Sequence, residues 1–175
     1  MAIASASALK LAGFLMAHAF WVISDFGEGD AYVPQVLCEK SGGGRELFVF
    51  EAKTQVEAIE RGKRFLMEQS GAFESCVFAR DGQVRQGDSY VDVLTLDVVE
   101  SALPPKLTII QPYEKAGSLK LLGDEVLAGH NRQLSKSEEG DAHENFRLGA
   151  SEHQGAASIW NVLNSTRSQR PVSFN

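Results

Sequence analysis

A chain of 175 residues is near the usual size of one domain, long enough to bury a core without metals or disulfides to staple it. Hydrophobic residues at 43% and charged residues at 23% are ordinary globular proportions, which excludes a fibrous or wholly disordered chain. The net charge of −6 argues against a protein that coats nucleic acid or an anionic membrane, because binding phosphate requires an excess of Lys and Arg.

Residues 1–17 read as an N-terminal helix or a leader. A helix over residues 5–17 would place Leu9, Ala12 and Met16 on one face and Leu11 and Leu15 on another. The same stretch holds a short apolar run, Leu11 to Ala17, ahead of Ala17, His18 and Ala19, whose small residues at alternate positions fit a signal-peptidase site. A cytoplasmic location is expected, and secretion is the alternative if residues 1–19 are a signal peptide. Met16 as the true start is a third reading. No run of 18 or more apolar residues appears, so no membrane span is expected.

Residues 18–128 read as an α+β domain. The apolar run from Ala19 to Asp25, closed by Gly27 and Gly29, predicts a buried strand. The run from Tyr32 to Glu39 carries Pro34, which cannot donate to a ladder, so this strand lies at an edge or begins after residue 34. Ser41 to Gly44 makes a turn, and residues 35–39 pair with 45–50 as a hairpin, with Leu47 and Val49 on one face and Phe48 and Phe50 on the other.

Thr54 to Gln69 is the best helix. Thr54 and Glu57 match a capping box, Val56, Ile59 and Leu66 mark the core face with the Lys63 stem along it, and Gly71 suits a left-handed C-cap. Gly62 inside the helix costs about 1 kcal/mol relative to alanine, for which close approach to the sheet would be a reason.

A meander over residues 75–113 follows. Cys76 to Arg80 predicts a central strand, Asp81 and Gly82 a tight turn, Gly87 and Asp88 a second turn or a bulge, and Tyr90 to Val99 a long strand. Asp92 and Asp97, five apart in a period-two element, point to opposite faces, each at a sheet rim or against an arginine. Pro104 and Pro105 break the chain before a last strand from Leu107 to Gln111. Cys38 and Cys76 are expected as buried reduced thiols, and a disulfide would require their strands to be neighbours.

Residues 129–175 read as a flexible polar tail, rich in Ser, Glu, Gly, His and Gln and poor in aliphatic residues. Its His143 and His153 lie among Asp141, Glu144 and Glu152, but with no metal-ligand spacing, so no metal is expected. A short helical island at 156–163 would set Ile159, Trp160 and Leu163 on one side, either docked on the domain or presented to a partner.

The fold class predicted is therefore α+β: an antiparallel sheet of five or six strands packed against one main helix, with a flexible C-terminal tail. No phosphate-binding loop, dinucleotide fingerprint or Gly-x-Ser-x-Gly occurs, and Gly42 to Gly44 precede a strand, not a helix. The expected function is a non-enzymatic binding or regulatory module acting through a protein partner or self-association, without a cofactor and with Ile159, Trp160 and Leu163 as partner-binding residues.

One enzymatic alternative rests on Glu51, Ala52 and Lys53 at a strand end, with Asp30 opening the strand before it. The order helix, three strands, helix, strand over residues 5–80 resembles the core of the PD-(D/E)xK nuclease family. That resemblance implies Asp30 and Glu51 as ligands of a catalytic Mg²⁺ and Lys53 as support for the attacking water.

Overall fold

The computed structural model describes residues 2–169. Helix α1 (Ala6–Ser24) runs through the middle of the fold, its start capped by the Ser5 hydroxyl, which accepts from the Ala8 N–H at 3.1 Å. Apolar residues over a broad face of it, from Ala8 and Leu11 through Leu15 and Met16 to Phe20, are fully buried. The strand expected at residues 19–25 is instead the second half of this helix. An unbroken apolar run looks alike in a buried strand and a buried helix, and here continuity with residues 6–18 decides for helix. By length and composition α1 is also apolar enough to cross a membrane, which the run-length criterion did not register. In this fold that apolar surface is taken up by the protein core.

Among the described residues, seven antiparallel strands make one sheet: β1 (Gln35–Glu39), β2 (Arg45–Val49), β3 (Ser75–Gln86), β4 (Ser89–Glu100), β5 (Ala102–Ala116), β6 (Ser118–Leu121) and β7 (Val126–Gly129). Six lie in the order β2-β1-β3-β4-β5-β6, and β7 pairs with β5 beside β6. Strand β1 begins directly after Pro34, and the expected hairpin is present, Gln35 opposite Val49 and Glu39 opposite Arg45. Asp81 and Gly82 do not turn the chain. They continue β3, opposite Leu94 and Val93, and the turn falls at Gly87 and Asp88, where Gly87 supplies the positive φ of 61°. Asp81 is held in the strand by the Tyr113 hydroxyl, which donates to its carboxylate at 2.8 Å.

Pro104 and Pro105 do not end a strand either. They lie within β5 where its register against β4 shifts, between the Val98–Leu107 and Glu100–Ala102 pairs, so the missing proline N–H groups disrupt no regular ladder there. Pro112 is likewise internal, opposite Val93, and β5 runs on to Ala116.

The sheet is covered on both faces. On one face α1 packs against Leu37, Val77, Leu94, Leu96, Val98, Leu107 and Ile109. On the other, α2 (Gln55–Gln69) covers Val36, Cys38, Cys76, Phe78 and Val99. The helix expected as the main cover is thus the outer of two. Its contact face is also rotated from expectation: Ala58, Gly62 and Leu66 are buried, Ile59 is partly so, and Val56 is 72% exposed. Thr54 caps it by accepting from the Glu57 N–H at 3.2 Å, but the Glu57 carboxylate takes Arg61 one turn on, so the reciprocal half of the capping box is not made. A 3₁₀ turn over Ser70–Ala72 continues the helix where a left-handed Gly71 cap was expected.

The cysteine expectation is corrected as well. Cys38 and Cys76 are register partners on β1 and β3, both fully buried, and they form a disulfide beneath α2.

The polar segment after residue 129 is not a free tail over its described length. It forms α3 (Lys136–Ser151) and α4 (Ala157–Ser165), which pack outside α1. Ser135 and Glu138 make a complete capping box at the start of α3. Few aliphatic residues are needed because α1 and α3 cross at near backbone contact: a Cβ on Gly13 would fall 1.8 Å from the Phe146 carbonyl oxygen, and one on Gly149 would fall 1.9 Å from that of Lys10. Residues 170–175 of the expected tail lie outside the described residues.

Candidate functional site

The three residues of the nuclease resemblance are not assembled. Asp30 is an exposed residue of the α1–β1 connection, its carboxylate accepting from the Gly27 N–H at 2.7 Å. Glu51 and Lys53 are exposed in the link between β2 and α2, and the Glu51 carbonyl accepts from Arg61 at 2.7 Å. No hydrogen bond or ion pair joins the three among the described residues. The element order behind the resemblance is gone too, since two strands precede α2 where three were expected.

The residues expected to meet a partner face inward instead. Trp160 and Leu163 are buried in the main core, Ile159 packs partly against it, and the Trp160 ring meets Phe146 edge-on at 6.3 Å. The island docks on its own domain, and Ile159 and Leu163 also border a cavity of about 430 Å³ beside Leu119 and Lys115.

Two polar clusters, both invisible in sequence order, hold the C-terminal helices in place. In the first, the Ala156 N–H donates to His153 Nδ1 at 3.0 Å, which leaves the His153 proton on Nε2, facing His18 Nδ1 at 3.0 Å. Burial lowers the pKa of both rings, helped at His18 by the neighbouring His153, so a neutral pair joins α1 to the α3–α4 turn.

The second cluster centres on Glu125, whose side chain is fully buried between β6 and α3. Burial alone would raise its pKa, but the 2.7 Å hydrogen bond to His143 and the charge of Arg167 at 3.4 Å hold it at about 2. Arg167 also donates to the Gly123 carbonyl at 2.8 Å and to Gln111 Oε1 at 2.6 Å, and Arg147 bridges Asp124 and Glu125. Cations and carboxylates balance here, and the cluster reads as a staple between the sheet and the last two helices.

An apolar groove lies on the opposite face of the sheet. Between α2 and β3–β5 is a groove of about 520 Å³, lined by Leu66, Met67, Phe78, Leu103 and Pro105 with Glu60, Lys63, Arg64 and Asp97 at its margins. Its floor is fixed by the sequence. Gly62 lets α2 approach until a Cβ there would sit 2.6 Å from Phe78 Cε2, and the ring also meets Arg80, whose guanidinium carbon lies 5.4 Å from the ring centroid. Arg80 in turn pairs with Asp97, which also accepts from the Thr108 hydroxyl at 2.7 Å. The expectation that Asp97 meets an arginine therefore holds, and Asp92 on the other face takes Gln83.

The walls are more exposed than the floor. Met67 is 72% exposed and Leu103 is 40% exposed, both beside a buried apolar floor. No family model, curated protein or solved structure matches the chain. Sequence order offered partial signals for the groove: Gly62 in an otherwise sound helix, and a methionine on that helix's exposed side. Leu103, Pro104 and Pro105 read as a chain break, which hid the second wall.

Proposed function

We propose that this chain is a non-enzymatic binding module that takes an apolar segment of a protein partner into the groove between α2 and β3–β5. The observation that carries this reading is the exposure of Met67 and Leu103 beside the buried Phe78–Leu66 floor, which leaves apolar side chains on both walls uncovered among the described residues. The groove is partly open to solvent, which suits a protruding side chain or short segment of another protein. Methionine on one wall and the Leu103–Pro105 bulge on the other would fit around such an anchor.

A random peptide library displayed on phage and selected against the full chain tests the proposal. Selected peptides are expected to share an apolar anchor and to lose binding to the Met67→Asp/Leu103→Asp variant, whose fold is checked by thermal melting. Selection of no common anchor, or equal binding to both proteins, overturns it.

A further inference from the structure

The margins of the groove carry a charge pattern that the apolar walls do not explain. Of the ionisable residues lining it, Lys63 lies 3.6 Å from Glu60, one helical turn away, and these two offset each other. Asp97 is compensated by Arg80 and by the Thr108 hydroxyl. Arg64 is the exception: it is exposed at the margin and makes no ion pair, hydrogen bond or ring contact among the described residues. Its helical neighbour Glu60 is engaged by Lys63, and Glu68, one turn on, does not reach it. The groove margin therefore holds one uncompensated positive charge, on a chain whose net charge is −6.

A guanidinium presents a planar fork of N–H donors that matches a carboxylate in two-point geometry. Beside an apolar floor such a group is partly shielded from water once an occupant seats, which strengthens a charge-assisted bond relative to open surface. The surrounding acidic chain repels anions in general, so an anion is favoured only where this cation and the apolar floor act together.

From this we infer that Arg64 selects the occupant: the partner segment carries an Asp or Glu side chain next to its apolar anchor, and that carboxylate is received by the Arg64 guanidinium. The inference rests on the groove being the binding surface and adds the chemical class of what enters it.

The test uses an acidic peptide from the displayed library and the same peptide with its acidic residue changed to the amide, measured by fluorescence anisotropy against the full-length wild-type, Arg64→Gln and Arg64→Lys proteins. The wild type is expected to prefer the acidic peptide about fivefold, in line with a partly exposed ion pair. Arg64→Gln is expected to abolish that preference while leaving the affinity for the amide peptide unchanged, and Arg64→Lys to retain part of it. A preference that survives Arg64→Gln, or is absent from the wild type while the peptides still need Met67 and Leu103, overturns the role of Arg64 and leaves the groove reading standing. Binding that ignores both Met67 and Leu103 overturns the two together. Displacement of the acidic peptide by decanoate at concentrations below the peptide's own Kd would overturn a protein partner in favour of a small amphiphilic acid.

Discussion

Gly62 of α2 lies directly over Phe78 of β3, so closely that a Cβ on Gly62 would fall 2.6 Å from the aromatic ring. This contact sets the distance between α2 and the sheet and makes Phe78 the floor of the groove. Gly62→Ala would improve helix propensity by about 1 kcal/mol, but overpacking at such a site costs about 1–3 kcal/mol. A net loss of about 1 kcal/mol is expected in urea denaturation, together with weaker peptide binding as Phe78 shifts. Unchanged or increased stability would show that α2 can move away from the sheet without cost.

Glu125 contributes a stability that depends on pH. Its folded pKa of about 2 lies below the ordinary 4.5, so its contribution is complete above pH 4.5 and is lost as pH falls from there toward 2. The size is of order 3 kcal/mol. Glu125→Gln leaves buried Arg167 with only the exposed Asp124 carboxylate, at 3.9 Å, as counter-charge, and about 3 kcal/mol of destabilisation is expected at pH 7. Urea melts of both proteins across pH 2–7 should show the gap between them closing below about pH 4.5. A constant gap would mean that the charge of Glu125 is not what holds α3 and the Arg167 segment to the sheet.

The Cys38–Cys76 disulfide spans 38 positions, and loop-closure entropy at that separation corresponds to about 4 kcal/mol of stability. Urea curves with and without dithiothreitol are expected to separate by up to about that amount. Because both cysteines are fully buried beneath α2, reduction without denaturant should be slow, following opening of the α2 layer and not the reductant concentration. Rapid reduction of the native protein would show that α2 does not shield the pair.

Much of the α+β architecture was legible locally. Pro34, the glycine turn at residues 42–44 and the alternation from Arg45 placed the first hairpin, and Thr54 placed the start of α2. These are short-range features, in which the missing proline N–H or a capping hydroxyl acts within a few residues. The errors came where local signals were ambiguous. Asp81 and Gly82 have turn chemistry, yet Tyr113 holds Asp81 inside a strand. Residues 136–151 look too polar to pack, yet Gly13 and Gly149 bring two helix backbones together so that small side chains suffice. Of the groove, Gly62 is legible in the sequence as a close-approach residue, while nothing local marks Arg64 or Leu103.

By itself, then, the sequence determined that this is an α+β chain with an antiparallel sheet, where its first hairpin lies, and that Asp92 and Asp97 face opposite ways, because strand period and backbone chemistry are properties of neighbouring residues. Tertiary structure decided the rest. Whether residues 19–24 are helix, whether Cys38 meets Cys76, which face of α2 is buried and which of its cations is left without a partner all depend on contacts between residues far apart in the chain. Arg64 stands out only once Lys63 is seen to take Glu60 and Arg80 to take Asp97.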